Sequence, residues 1–279
     1  MALVECHNFR GSRIKISAPG DSPNTDGIHI ERSSSVDIER SRIGTGDDCI
    51  SIGQGNSQVT ISSISCGPGH GIRYFRILFF RLYFLSVLNT SLLNLHCDSS
   101  VGSLGKYLNE RDVSGLVVRD CYMTGTSNGI RIKTWPNSPG SSAATNMTFD
   151  NIVMNNVSNP IIIDQSYCPS SSCSSEVNAF PFSSFHSMHF ESAFEFFRTW
   201  FQEPSRVKLS DIHFKNIRGT SSSEVAVSLG CSKGVPCQNV YVEDVHLDLS
   251  SRNRRKSPTA FCSNVRAKFI GTQVPPPCS

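Results

Sequence analysis

The sequence lacks both a long apolar run and a strong excess of charge of one sign. The most apolar stretch, residues 74–88, is too short to span a bilayer and carries Arg76 and Arg81. The formal net charge is +3 over 279 residues, which is too small for a nucleic-acid-binding surface. With 18% charged and 38% hydrophobic residues, the chain is expected to be globular. We therefore expect no membrane and no nucleic acid among its partners.

The sequence also lacks the Cys-x-x-Cys and Cys/His spacings of zinc sites, and neither a metal nor a cofactor is expected. It nevertheless has 11 cysteines, and several are close in sequence, such as Cys231 with Cys237 and Cys262 with Cys278. This usage favours an oxidising compartment, as do the sequons at Asn146 and Asn156. The first seven residues have no apolar core like that of a signal peptide. The sequence therefore predicts either a cytosolic protein or a chain that starts within a longer one.

Helical periodicity is nearly absent, and a repeat of short β-branched segments takes its place. One element of the repeat occurs at 27–30, 49–52, 71–72, 129–132, 160–163 and 225–229. A second occurs at 36–38, 59–61, 116–118, 147–149, 207–209 and 240–242. Recurrence at 20–30 residues predicts an all-β fold, a parallel β-helix with one coil per repeat. A β-sandwich would instead show turns every 8–12 residues.

Two gaps in the repeat are too long. Gly27 and Cys49 are 22 residues apart, as are Cys49 and Gly71, but Gly71 and Gly129 are 58 apart. The gap between 160 and 225 is 65 residues. Both gaps contain segments rich in phenylalanine, at 73–99 and 177–202. The chain is therefore read as one domain, 1–279, with two foreign insertions.

We interpret both insertions as translated introns. Phenylalanine and leucine codons are rich in thymine, Val177 requires a codon that starts with the donor dinucleotide GT, and Gln202 can be encoded by the acceptor-like CAG. Removing 73–99 would shorten the first gap to 31 residues, which equals the spacing between 129 and 160. Two genuine surface loops, or a membrane anchor at 74–88, are the alternatives.

Three polar residues precede repeat strands at equivalent positions. They are Asp26, Asp48 and His70, each 22 residues from the next, and Asp47 lies beside Asp48. Equivalent positions on neighbouring coils lie about 4.8 Å apart, so these side chains should form a ladder. Crowded carboxylates are costly, and proteins use them mainly where an acid must stand beside a base, as in glycoside hydrolysis. Further along, Arg131 and Lys133 alternate with isoleucines and should share one face, where they could bind a carboxylate.

At these residues the sequence resembles the polygalacturonase family of glycoside hydrolases. Four signatures of that family occur in order: Asn-Thr-Asp-Gly at 24–27, Gly-Asp-Asp-Cys at 46–49, Gly-His-Gly at 69–71 and Arg-Ile-Lys at 131–133. The resemblance covers nearly the whole chain outside the two insertions. The segments at 125–135 and 158–168 look most like those of plant exo-acting, pollen-type members.

The resemblance implies a right-handed parallel β-helix that hydrolyses α-1,4-galacturonosyl linkages with inversion and without a metal. Asp47 would be the general acid, Asp26 and Asp48 would activate water, and His70 would support the acid. Arg131, Lys133 and Tyr167 would bind the substrate. The disulfides implied are Cys49–Cys66, Cys231–Cys237 and Cys262–Cys278. The expected partner is an acidic polysaccharide, and the expected product of the gene is a secreted, monomeric cell-wall protein.

This chain departs from the family in two ways. Only 23 residues precede the first signature, so we expect an N-terminally truncated β-helix, and the third signature is interrupted after Ile72. Four outcomes therefore remain open: an exo-acting hydrolase, an endo-acting hydrolase, a calcium-dependent pectate lyase on the same fold, and an inactive or merely pectin-binding product of an aberrant transcript.

Overall fold

The computed structural model describes residues 1–69, 72–74, 104–168, 203–250 and 256–278. Within them, eight parallel strands form a first sheet, sheet A, in spatial order. These strands are β1 (Ala2–Val4), β4 (Ile28–Glu31), β7 (Ile50–Ile52), β10 (Ile72–Tyr74), β12 (Asn128–Lys133), β14 (Asn159–Asp164), β16 (Val225–Gly230) and β18 (Thr259–Ser263).

The remaining strands form sheet B, in which pairing is again parallel. Its main path contains β2 (Arg10–Ser12), β5 (Ser34–Glu39), β8 (Ser57–Ser62), β11 (Val113–Thr124), β13 (Ala143–Val157), β15 (Lys208–Ser221), β17 (Cys237–Leu249) and β19 (Val265–Val274). The short strands β3 (Lys15–Ser17), β6 (Arg42–Gly44) and β9 (Ser65–Cys66) pair beside it. The chain thus alternates between the two sheets, and the prediction of a parallel β-helix is confirmed.

The core lies between the sheets and is built from stacked rows of like residues. Ile28 pairs with Ile50, Ile50 with Ile72, and Ile72 with Ile130 in register. The isoleucines at 28, 50 and 130 are at most 1% exposed. Because side chains alternate across a strand, an inward row of isoleucines leaves the intervening residues of the same strands facing outward. That outward side of sheet A carries the site described below.

The long strands of sheet B bend at residues with left-handed backbone conformation. Asp120, Asn151, Asn216 and Asp244 have φ between 49° and 55° and lie on neighbouring strands. Asn and Asp tolerate this conformation better than other residues with a side chain. The Asn151 side chain also donates to Asp120 Oδ1 at 2.6 Å. This ladder turns each strand around a corner of the coil without ending it.

Disulfide bonds join Cys49 to Cys66, Cys231 to Cys237 and Cys262 to Cys278. Cys168 is also disulfide-bonded. Cys121 is a buried free thiol, and burial raises its pKa to about 12, so it is unreactive.

The proposed first insertion begins inside a strand. Its first two residues, Arg73 and Tyr74, belong to β10, which pairs with β7 on one side and β12 on the other. Residues 75–99 and the whole of 177–202 lie outside the described residues. In the described part of the chain, no helix is long and apolar enough to cross a membrane.

Candidate active site

Three carboxylates meet where β4 and β7 begin. The turn before β4 ends in Asp26 and the turn before β7 ends in Asp47 and Asp48, and the two turns are joined by a hydrogen bond from Gly27 N to Asp48 O of 2.8 Å. One carboxylate oxygen from each of the three aspartates lies within 4.8 Å of the others. Asp47 is 6% exposed and Asp48 is fully buried, while Asp26 is partly exposed. The one-coil spacing thus brings Asp26 and Asp48 together, and Asp47 joins them.

Two glycines allow the backbone to pack this closely. A Cβ at Gly46 would lie 2.0 Å from the carbonyl oxygen of Ser22 on the preceding coil. Gly69 has φ of +138°, and a Cβ there would lie 2.7 Å from the carbonyl oxygen of Asp47. The signatures around these aspartates therefore need glycine for space and for conformation. The Cys49–Cys66 disulfide fixes the same turn immediately after Asp48.

Arg131 and Lys133 lie on β12, two strands along sheet A from β7, or about 10 Å away. Both approach the ring of Tyr167: Lys133 Nζ is 3.7 Å and the Arg131 guanidinium carbon 5.2 Å from its centroid. Lys133 is fully buried, whereas the Arg131 side chain is 17% exposed and donates to Asp164 Oδ2 at 3.1 Å. Trp135 packs edge-on against Tyr167, with centroids 5.7 Å apart. The two cations and Tyr167 therefore form one cluster, in which Arg131 is the cation exposed to solvent.

The outward row of sheet A continues beyond Arg131 with uncharged residues. In register with Arg131 lie Ile162, Ser228 and Phe261 on the next three strands. These three residues line a cavity of about 480 Å³. A chain bound along sheet A would thus pass from carboxylates, over cations, to a partly apolar surface.

His70, the fourth member of the predicted ladder, lies outside the described residues, and its position relative to the aspartates stays a prediction.

Similarity to known proteins identifies the family of the chain. The model of glycosyl hydrolases family 28 matches residues 1–73, 86–194 and 188–271. The chain belongs to glycosyl hydrolases family 28. An exopolygalacturonase of Platanus acerifolia is 42% identical over 273 residues, which are 98% of this chain and 58% of the relative. One of Oenothera organensis is 42% identical over 278 residues, 99% of this chain and 61% of the relative. The chain thus spans about three-fifths of the length of these family 28 relatives.

Solved structures show the same fold. The endo-xylogalacturonan hydrolase of Aspergillus tubingensis superposes with a TM-score of 0.64 at 21% identity, over 96% of this chain and 59% of that one. The exopolygalacturonase of Thermotoga maritima superposes with a TM-score of 0.63 at 15% identity, over 97% and 48%. At these identities the likeness concerns the fold alone.

Sequence reasoning missed polar residues that lie beside the family 28 signatures. Ser51 donates a hydrogen bond of 2.6 Å to Asp26 Oδ2, and His29 lies 2.9 Å from Ser51. Both residues sit inside the repeat elements that predicted the strands, as the outward residues of Ile-His-Ile and Ile-Ser-Ile. Their 22-residue separation was the signal that could have paired them, because it equals the spacing of Asp26 and Asp48.

Proposed function

We propose that the protein hydrolyses α-1,4-galacturonosyl linkages in polygalacturonate, acting from the chain end and with inversion of configuration. Asp47 protonates the leaving oxygen, and Asp26 with Asp48 binds and deprotonates the attacking water. Arg131 binds the carboxylate of the neighbouring sugar, supported by Lys133 and Tyr167. His70 assists Asp47.

The observation that carries this proposal is the carboxylate cluster. Three acids within 4.8 Å repel one another when all are ionised, which favours retaining a proton on at least one. Glycoside hydrolysis requires a protonated acid and an ionised base in one site. Cations about 10 Å further along the same sheet give the site affinity for an acidic sugar chain.

The carboxylate separation and the inverting outcome need to be reconciled. Paired carboxyl groups lie about 6.5–9.5 Å apart in inverting enzymes and about 5–5.5 Å apart in retaining ones, and the distances here favour the second class. We nevertheless propose inversion, because two of the three carboxylates can hold the water between them. The acid and the base then need not be far enough apart to leave room for the water between them. Proton NMR of the first product tests this: inversion of an α-linkage gives the β-anomer, and initial release of the α-anomer would contradict the proposal.

Exo action is supported by the two exopolygalacturonases to which the chain is 42% identical. Chromatography of products from polygalacturonic acid distinguishes the alternatives. Exo action predicts galacturonic acid as the first product, and oligomers together with an early loss of viscosity would indicate endo action. Binding without any product would support an inactive, pectin-binding protein.

A lyase is the second candidate, because the three carboxylates could also hold a cation. A lyase would form an unsaturated product that absorbs in the ultraviolet, and a chelator would abolish that activity. The hydrolase proposal predicts no such absorbance and full activity in the chelator.

We further propose that the protein is secreted to the cell wall and acts as a monomer. Disulfides in the described residues are typical of an oxidising compartment. Pectin is an acidic polymer, and the positive charge of +3 suits such a substrate.

A further inference from the structure

A chain of hydrogen bonds leads from the strands of sheet A to Asp26. His29 on β4 and Ser51 on β7 are register partners, and His29 Nδ1 lies 2.9 Å from Ser51 Oγ. Ser51 Oγ in turn donates to Asp26 Oδ2 at 2.6 Å. His29 is 4% exposed and Ser51 is fully buried, so water does not compete for these bonds. None of the four family signatures contains His29 or Ser51.

The direction of these bonds follows once Asp26 is taken as the ionised base of the proposed function. A serine hydroxyl carries one proton, and Ser51 gives it to Asp26. Ser51 Oγ can then only accept from His29, so His29 Nδ1 must carry a hydrogen. Asp26 Oδ2 is the acceptor at the end of the chain. A carboxylate that accepts such bonds is favoured in its ionised form.

Glu31 lies at the other end of the chain. Its Oε2 is 3.5 Å from His29 Nε2, a long contact whose effect is mainly electrostatic. Burial, the largest influence, raises the pKa of Glu31, but the hydrogen bond with His29 and the charge of Arg32 together lower it below its usual value. Arg32 holds Glu31 through a hydrogen bond of 2.9 Å. The imidazole of His29 thus lies between the Glu31 carboxylate at Nε2 and the Ser51 hydroxyl at Nδ1.

We propose that Ser51 and His29 are positioning residues that hold Asp26 as the ionised, correctly oriented base, with Glu31 anchoring the imidazole. This inference rests on the proposed function. Within the carboxylate cluster the proposal concerns Asp26, because the Ser51 hydroxyl donates to it. The carboxylates of Asp47 and Asp48 also face Asp26, and both oppose its ionisation.

The kinetic test uses Ser51→Ala, which removes the donor, and His29→Leu, which removes the support. Loss of a hydrogen bond to a charged group predicts a decrease in kcat of about tenfold or more, with KM nearly unchanged. The acid limb of the kcat profile should move to higher pH in both variants, because Asp26 loses the bond that favours its ionised form.

His29→Asn offers an amide hydrogen near the position of Nδ1 and should recover most of the activity. Ser210→Ala, a buried serine of β15 in sheet B, is the matched control and should leave kcat unchanged.

An unchanged kcat and acid limb in Ser51→Ala would overturn the proposal. So would an equal effect in Ser210→Ala, since that would indicate a general loss of packing. Thermal unfolding of each variant identifies any that fail to fold.

A second measurement does not depend on activity. Nitrogen-15 NMR of the histidine side chains, with the His29 signals assigned by their loss in His29→Asn, reports which nitrogen carries the hydrogen. We expect Nδ1–H across the neutral pH range and a shift of these signals in Ser51→Ala. A hydrogen on Nε2 together with an unprotonated Nδ1 would overturn the proposed chain of hydrogen bonds. If the chain releases no sugar but His29 carries Nδ1–H and responds to Ser51→Ala, the proposed function fails while the hydrogen-bond chain stands.

Discussion

At the scale of single residues, Arg131 and Lys133 differ in exposure to solvent although they share one face of β12. Arg131 is partly exposed and bonded to Asp164, whereas Lys133 is fully buried beneath the ring of Tyr167. In the function we propose, a sugar carboxylate therefore binds Arg131 directly. In the same proposal, Lys133 adds positive charge to the site although it is buried. It also supports Tyr167 through a cation–π contact, and such contacts are stronger when they are desolvated.

Glu31 makes a pH-dependent contribution to stability. Because its pKa in the folded protein lies below the ordinary value of 4.5, its ionised form stabilises the fold above that pH, and the contribution is lost as the pH falls through the lowered pKa. Glu31→Gln should therefore lower the melting temperature at pH 7, and the difference from the unaltered protein should shrink in strongly acidic buffer. Differential scanning calorimetry at both pH values measures this. The exposed Glu224→Gln serves as control, and a difference independent of pH would contradict the account.

The proximity of the aspartates, though not their roles, could be predicted from the sequence because the repeat supplies a register. Asp26 and Asp48 lie one repeat apart and meet in space, and the signature beside Asp48 brings Asp47 with it. The hydrogen bonds of Ser51 and His29 could not be predicted in the same way, because their geometry depends on side-chain rotamers inside a closely packed coil. The alternation of Arg131 and Lys133 predicted a shared face but not that Lys133 is fully buried while Arg131 stays partly exposed.

At the scale of strands, the bends in sheet B depend on backbone conformation. Asn151 has φ of 51°, in the region that disfavours residues with a Cβ by about 1–2 kcal/mol. Its two neighbours in the bend, Asp120 and Asn216, adopt the same conformation.

Substitution of Asn151 by alanine and by glycine tests this role. Both variants lose the side-chain bonds, so the comparison isolates the Cβ. In an ordinary strand, alanine is more stable than glycine by roughly 0.5–1 kcal/mol. At Asn151 we expect the reverse order in urea-induced unfolding, with Asn151→Gly at least as stable as Asn151→Ala. A clearly higher stability of Asn151→Ala than of Asn151→Gly would contradict the role we assign to the left-handed conformation at the bend.

The repeat elements predicted the existence of most strands but not their lengths. The second element, predicted as segments of three residues, belongs in β11, β13, β15 and β17 to strands of 12 to 15 residues that run through the bend. A residue in left-handed conformation interrupts the period-2 pattern, so the pattern ends at the bend while the strand continues. The strands β3, β6 and β9, of two or three residues, are too short to carry a recognisable period.

At the scale of the whole molecule, the two insertions remain our proposal. The family 28 match ends at residue 73 and resumes at 86, which supports a foreign segment there, although β10 extends to Tyr74. The match also covers residues 86–99 of the first segment and the whole of the second segment, 177–202, so it gives the second insertion no support.

Sequencing the transcript and the gene across both segments tests the intron interpretation. We expect a transcript in which 73–99 and 177–202 are absent and in which GT and AG dinucleotides bound the missing sequence. A protein without these segments should be expressed in soluble form and should release galacturonic acid at least as fast as the present chain. The interpretation is wrong if every transcript retains both segments.

The most direct test of the account compares hydrolysis of a galacturonic acid oligomer by the present chain, by Asp47→Asn and by Asp248→Asn. Asparagine keeps the shape of Asp47 but cannot donate the acidic proton, and Asp248 is an exposed carboxylate on β17, away from the cluster. The account predicts that the unaltered chain releases galacturonic acid, that Asp47→Asn lowers kcat by about 100-fold or more with little change in KM, and that Asp248→Asn has no effect. Equal activity of Asp47→Asn and the unaltered chain would contradict it.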